Sequence, residues 1–215
     1  MEEQTPNTAE KEMSFLDHLE ELRWHLIRSA LSIVVFGIII FLFKETVFDK
    51  IILAPKKPSF LTYQFFCNLS EATCFSPPNF NIMPRELGEE FFTHIKVSVW
   101  LGIILSFPYL FWEMWKFIKP GLYPNEQKAA RGMVFICSVL FLSGVLFGYF
   151  VISPFAITFL AGYTVAPEVI SSPTLASYVS YMTMFTIPTG LIFELPIVVY
   201  FLSKIGLVSP AFMKK

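Results

Sequence analysis

Glu113-Met-Trp-Lys-Phe-Ile-Lys-Pro-Gly-Leu-Tyr-Pro-Asn-Glu-Gln-Lys-Ala-Ala-Arg131 decides how this chain is read. An apolar run leads into it from Val97 to Trp112, and another leaves it from Gly132 onward. Lys116, Lys119, Lys128 and Arg131 give it four positive charges. Pro120, Gly121 and Pro124 interrupt any continuous helix. A stiff, basic, aromatic-rich turn between two membrane spans has this character, and the remaining segments are oriented from it.

Composition agrees. The chain is 54% hydrophobic, holds 25 Phe and is only 15% charged, against roughly 25% in ordinary soluble domains. Residues 132–167 contain no Asp, Glu, Lys or Arg, and neither do residues 169–193. About 20 apolar residues span a bilayer core. The expected fold class is therefore all-α: a polytopic membrane protein with spans at about 24–43, 92–115, 131–151 and 175–203. The net charge of −1 says nothing about partners, because distribution matters in a membrane protein and the sum does not. The polar N-terminus lacks an early apolar region, so no cleavable signal peptide is expected.

Residues 1–13 are polar and expected to be disordered, ahead of a single membrane domain from 14 to 215. Ser14 and Asp17 have capping-box spacing. From there Phe15, Leu16, Leu19, Leu22 and Leu26 recur at helical intervals, with Asp17, His18, Glu20, Glu21 and Arg23 on the other faces. This predicts an amphipathic interfacial helix running into the first span, with Arg28 snorkelling back to the headgroups. The long 44–91 connection is expected to cap one side of the molecule, with a short helix at Val47–Leu53. Pro108 is expected to kink the second span. Ser153-Pro154 is expected to end the third, leaving 155–174 as a shallow interfacial hairpin.

Orientation follows the short loops. The 113–131 turn carries four Lys/Arg and the 152–174 connection none, which predicts that the basic turn and both termini are cytoplasmic. The 44–96 segment carries six Lys/Arg, but it is long and balanced by six acidic residues.

Three groups of residues stand out for chemistry. Glu194 lies ten residues before Lys204, so roughly 15 Å along a helix and near the middle of the core. A charged residue at that depth costs about 2.5–3.5 kcal/mol on insertion scales, which marks it as a contact for a polar group on a partner helix or as a proton-responsive site. Pro196 frees the carbonyl of Ile192 one turn back, so the nearby backbone is polar too. Glu20, Glu21 and Arg23 on the first helix, and Glu126 in the basic turn, form the second group. Two carboxylates at the mouths of adjacent spans suit two guanidinium groups, which they grip by charge-assisted hydrogen bonds. The aromatic residues Trp112, Trp115, Phe117 and Tyr123 are the third. They fit an interfacial belt, and Phe117 and Tyr123 also fit the wall of a peptide groove. Cys137 reads as a small core residue. Cys67 and Cys74 share a polar loop, where a disulfide is open if the loop faces an oxidising compartment. No catalytic nucleophile–base pair, metal-ligand cluster or phosphate loop is present, so neither an enzyme, a metal site nor a cofactor is expected.

His18-Leu19-x-Glu21-Leu22-Arg23 resembles the N-terminal signature of TatC, the multi-pass receptor component of the twin-arginine protein translocase. Phe117-Ile118-x-Pro120-Gly121-Leu122-Tyr123-x-x-Glu126 resembles its first cytoplasmic loop. Glu194 with Pro196, together with Pro55 and Pro108, fits as well. The resemblance spans roughly residues 14–212 and implies a cupped helical bundle in the bacterial inner membrane. It implies that Glu21 and Glu126 hold the Arg-Arg pair of signal peptides, with Arg23, Phe117, Pro120 and Tyr123 around them. It also implies that Glu194 meets single-span TatA-like and TatB-like partners. A homo-oligomer is left open, and no nucleic acid is expected. The family has six spans, so the resemblance implies two further spans after the four seen here. Trp24-His25 departs from the more basic residues frequent at that place. The competing reading is a fragment of a proton-coupled secondary transporter with Glu194 as carrier. Against it stand the lack of an inverted repeat and a count of one intramembrane ionisable residue.

Overall fold

A computed structural model of the chain describes residues 15–71, 74–77, 80–121, 132–166 and 172–204. Its helices are α1 (Phe15–Leu42), α2 (Lys44–Val47), α3 (Leu61–Leu69), α4 (Glu89–Ile118), α5 (Met133–Phe147), α6 (Ser153–Gly162) and α7 (Leu175–Lys204). Four helical stretches among the described residues are long and apolar enough to cross a membrane: His18–Leu42, Glu89–Ile118, Met133–Gly162 and Leu175–Ser203.

The expected surface helix and first span form one uninterrupted α1. No Gly or Pro lies between Phe15 and Phe36 to separate them. The third span corrects the sequence reading. Ser153-Pro154 does not end it, because a π-helical turn at Gly148–Ile152 precedes the pair and α6 continues to Gly162. Pro154 then falls in the first turn of α6, where a missing N–H and a fixed φ are tolerated. Ser153 Oγ donates to the Gly148 carbonyl at 2.9 Å across the π turn. The residues assigned to a shallow hairpin are therefore helical up to Gly162. Pro108 lies inside α4, and Pro188 and Pro196 lie inside α7.

α1 packs antiparallel along α4, α4 against α5, and α5 against α7, while α7 also returns to α4. Lipid tails are as apolar as leucine, so such helices associate through close packing and polar contacts. Glycines permit the approach. A Cβ on Gly102 would lie 3.0 Å from the Gly37 nitrogen and the Ile33 carbonyl of α1, and one on Gly144 would lie 2.9 Å from Gly190 Cα of α7. Large apolar side chains such as Leu31, Leu42, Phe135 and Met184 remain on the outer faces, as lipid contact requires.

The 44–91 connection folds over the end of the bundle that holds the start of α4. Phe48–Ile52 continues α2 as a π turn, and Val47, Ile52 and Phe80 join Val97, Tyr178, Val179 and Met182 in one buried cluster. Tyrosines pin this cap to the helices. Tyr178 donates to the Ile52 carbonyl at 3.0 Å, and Tyr149 to that of Ile51 at 2.7 Å. Tyr63 donates to the Pro55 carbonyl at 2.8 Å. Pro55 is itself fully buried. Burial raises the Tyr63 hydroxyl above its ordinary pKa, so it stays a donor. Cys67 and Cys74 are disulfide-bonded within this cap.

Candidate functional site

The opposite end of the bundle, where α1 begins and α4 ends, holds a cluster of linked polar groups. The antiparallel pairing of α1 and α4 brings residues 88 positions apart into contact there. Glu113, the first residue of the basic stretch, is only 1% exposed. His25 Nδ1 donates to its Oε2 across 2.5 Å. Lys116, one turn along α4, stands 3.5 Å from Oε1 and lies over the Trp112 ring at 3.3 Å. The Tyr109 hydroxyl also reaches the same carboxylate. Removing a carboxylate from water demands such partners, and Glu113 has them from both helices.

Glu21 sits one turn before His25 on α1. Its Oε1 is 3.9 Å from His25 Nε2, and its side chain is 36% exposed. One imidazole thus stands between two carboxylates, a buried one on α4 and a half-exposed one on α1. Phe117 closes the arrangement. Its ring stacks on His18 with centroids 4.3 Å apart and meets His25 edge-on at 6.2 Å. Arg23 and Pro120 are exposed at this end of their helices. Glu21, Arg23, Phe117 and Pro120 therefore share one end of the α1–α4 pair. Tyr123 and Glu126 lie outside the described residues.

His18, His25 and Glu113 went unassigned in the sequence. A signal existed: Glu113 ends a run of uncharged residues that begins at Val97, and His18, Glu21 and His25 share one helical face. Their partnership is nonlocal, so spacing alone did not join them.

Glu194 lies far from this cluster. It is 8% exposed and turned toward α5, with the Cys137 thiol beside its carboxyl. Its Oε1 is buried and has no hydrogen-bond partner among the described residues. The count of one ionisable group in the spans does not hold, because Glu89 and Glu113 are also buried and Lys96 lies on α4. The absence of other intramembrane ionisable groups therefore no longer argues against a transporter.

Four long apolar helices under a folded cap, with carboxylates and aromatic rings gathered where α1 begins and α4 ends, define a polytopic helical membrane protein with a polar site at one face. The chain belongs to the TatC family of Sec-independent protein translocase proteins, whose family model matches residues 17–215. A TatC protein of Blattabacterium sp. subsp. Periplaneta americana is 40% identical over 95% of this chain and 79% of its own length. One from Desulforapulum autotrophicum is 33% identical over 96% of this chain and 70% of its own length. A crystal structure of the twin arginine translocase receptor TatC superposes with a TM-score of 0.73 at 29% identity, covering 92% of this chain and 80% of that one.

Proposed function

We propose that this chain is the receptor component of a twin-arginine protein export system, multi-pass in the bacterial cytoplasmic membrane with its N-terminus in the cytoplasm. It binds the Arg-Arg pair of signal peptides on folded precursors and docks single-span partner subunits, and it acts by binding without catalysis. The observation that carries this reading is Glu21: a half-exposed carboxylate at the α1–α4 mouth, with no direct hydrogen bond among the described residues. Such a group is available to a guanidinium, which grips a carboxylate through paired, charge-assisted bonds that an ammonium cannot reproduce. Glu126 is the second carboxylate of this reading, and Tyr123 a further wall. Glu194, with its unpartnered Oε1, offers an acceptor to a polar group on a partner helix.

The test is photocrosslinking of a twin-arginine peptide and its twin-lysine counterpart to the full chain in membranes. The arginine peptide should crosslink near Glu21 and Glu126, and the lysine peptide much less. Equal labelling by both, or no loss in Glu126→Ala, overturns the reading.

A further inference from the structure

We propose that His25 is an internal stand-in for the incoming arginine: in its protonated form it neutralises Glu21 in the empty receptor, and it gives way to a guanidinium when a signal peptide binds. This inference rests on the reading of Glu21 as a signal-peptide carboxylate.

The geometry separates the two contacts of the imidazole. Nδ1 is bonded to the buried Glu113 at 2.5 Å, while Nε2 stands 3.9 Å from Glu21. The first is a hydrogen bond. The second is too long for one and attracts Glu21 only when the ring carries a proton. Glu113 therefore fixes the ring, and the weaker contact faces the exposed carboxylate. A guanidinium making two direct hydrogen bonds to Glu21 outcompetes that contact without disturbing Glu113. Phe117, packed on both His18 and His25, keeps the ring from swinging outward.

The groups around His25 come from two elements. On α1 they are His18, Glu21 and Arg28; on α4 they are Tyr109, Glu113 and Lys116. Imidazole as a class changes charge between about pH 8 and pH 5. A protonated His25 occupies Glu21 and repels the arriving guanidinium. A neutral His25 leaves Glu21 free. Carboxylates, lysine and arginine keep their charge over this window, so the imidazoles supply the pH dependence.

The experiment measures the affinity of a histidine-free twin-arginine signal peptide for the full chain in nanodiscs, from pH 8 to pH 6, with the twin-lysine peptide as control. Affinity for the arginine peptide should fall severalfold toward pH 6, as one competing proton binds. In His25→Gln the dependence should vanish, with binding at pH 6 equal to that of the parent at pH 8. In Glu113→Gln, which leaves His25 in place without its anionic anchor, the fall should move to lower pH. If His25→Gln does not fold, the Glu113→Gln shift decides. A pH dependence that survives in His25→Gln, or that disappears in His18→Gln instead, overturns the inference. A parent receptor that does not distinguish arginine from lysine overturns the receptor reading itself, whereas an arginine-selective receptor with flat affinity overturns only the role of His25.

Discussion

Glu89 Oε1 accepts the backbone N–H of Ala176 at 2.8 Å, while its Oε2 accepts that of Arg85 at 2.6 Å. One carboxylate thus ties the first turn of α4 to the first turn of α7 and to the cap before it. Orphan N–H groups at helix starts need acceptors, and here a residue of α4 supplies one to α7 while its other oxygen holds the segment before α4. Glu89→Ala should lower the thermal midpoint in detergent by several degrees. Glu89→Gln should cost less, because it keeps one acceptor oxygen and loses the other. Midpoints unchanged in both variants would show that the link does not support the fold.

Gly144 is a point of close approach between α5 and α7. A Cβ there would lie 2.8 Å from the Phe193 ring and 2.9 Å from Gly190 Cα. Overpacking of this kind costs about 1–3 kcal/mol. Gly144→Leu should reduce stability by at least that amount and move Glu194 away from Cys137. Gly132, whose added Cβ would meet nothing within 4 Å, provides no such packing clash. A thermal unfolding series in one detergent distinguishes a stable Gly144→Leu variant from the loss expected.

The Cys67–Cys74 disulfide closes a loop of about eight residues, which the chain-entropy model values at up to ~2.5 kcal/mol. Cys67→Ser should destabilise the cap by less than that and leave α1 and α4 intact. Alkylation with and without reductant, read by mass spectrometry, should show two protected thiols in the untreated protein.

Asp49 and Lys57 form an ion pair at 2.6 Å on the cap surface. The hydrogen bond and charge of Lys57 hold the Asp49 carboxyl below its ordinary range. A depressed carboxyl contributes stability above its unfolded value, near pH 4, and loses it as pH falls through the folded value. Both side chains are exposed, so the effect is small. Lys57→Gln should lower the thermal midpoint by about one degree at pH 7, with the difference closing toward pH 3. A difference that grows on acidification would contradict the pairing.

Much of the architecture was legible because membrane physics acts on composition. The uncharged run after Gly132 required a span there, and the Pro120-Gly121 interruption after α4 is reflected in the 3-10 turn at Lys119–Gly121. The end of the third span differs from the sequence expectation because the π turn before Ser153 makes Pro154 an acceptable helix start and not a stop. The candidate site was half visible. Glu21, Arg23, Phe117 and Pro120 lie in local motifs, but Glu113 looked like the edge of a basic turn.

The sequence by itself determined that the chain is a helical membrane protein, where its four long apolar segments lie, and that polar residues gather around α1 and the end of α4. Bilayer solvation makes these properties local, because each segment must satisfy its own backbone and offer apolar side chains to lipid. Only the tertiary structure decided that Glu113 is buried against His25, that Glu89 joins two helix starts, and that Glu194 turns toward Cys137. Those facts depend on which faces of distant helices meet, and close packing at Gly102 and Gly144 sets that register.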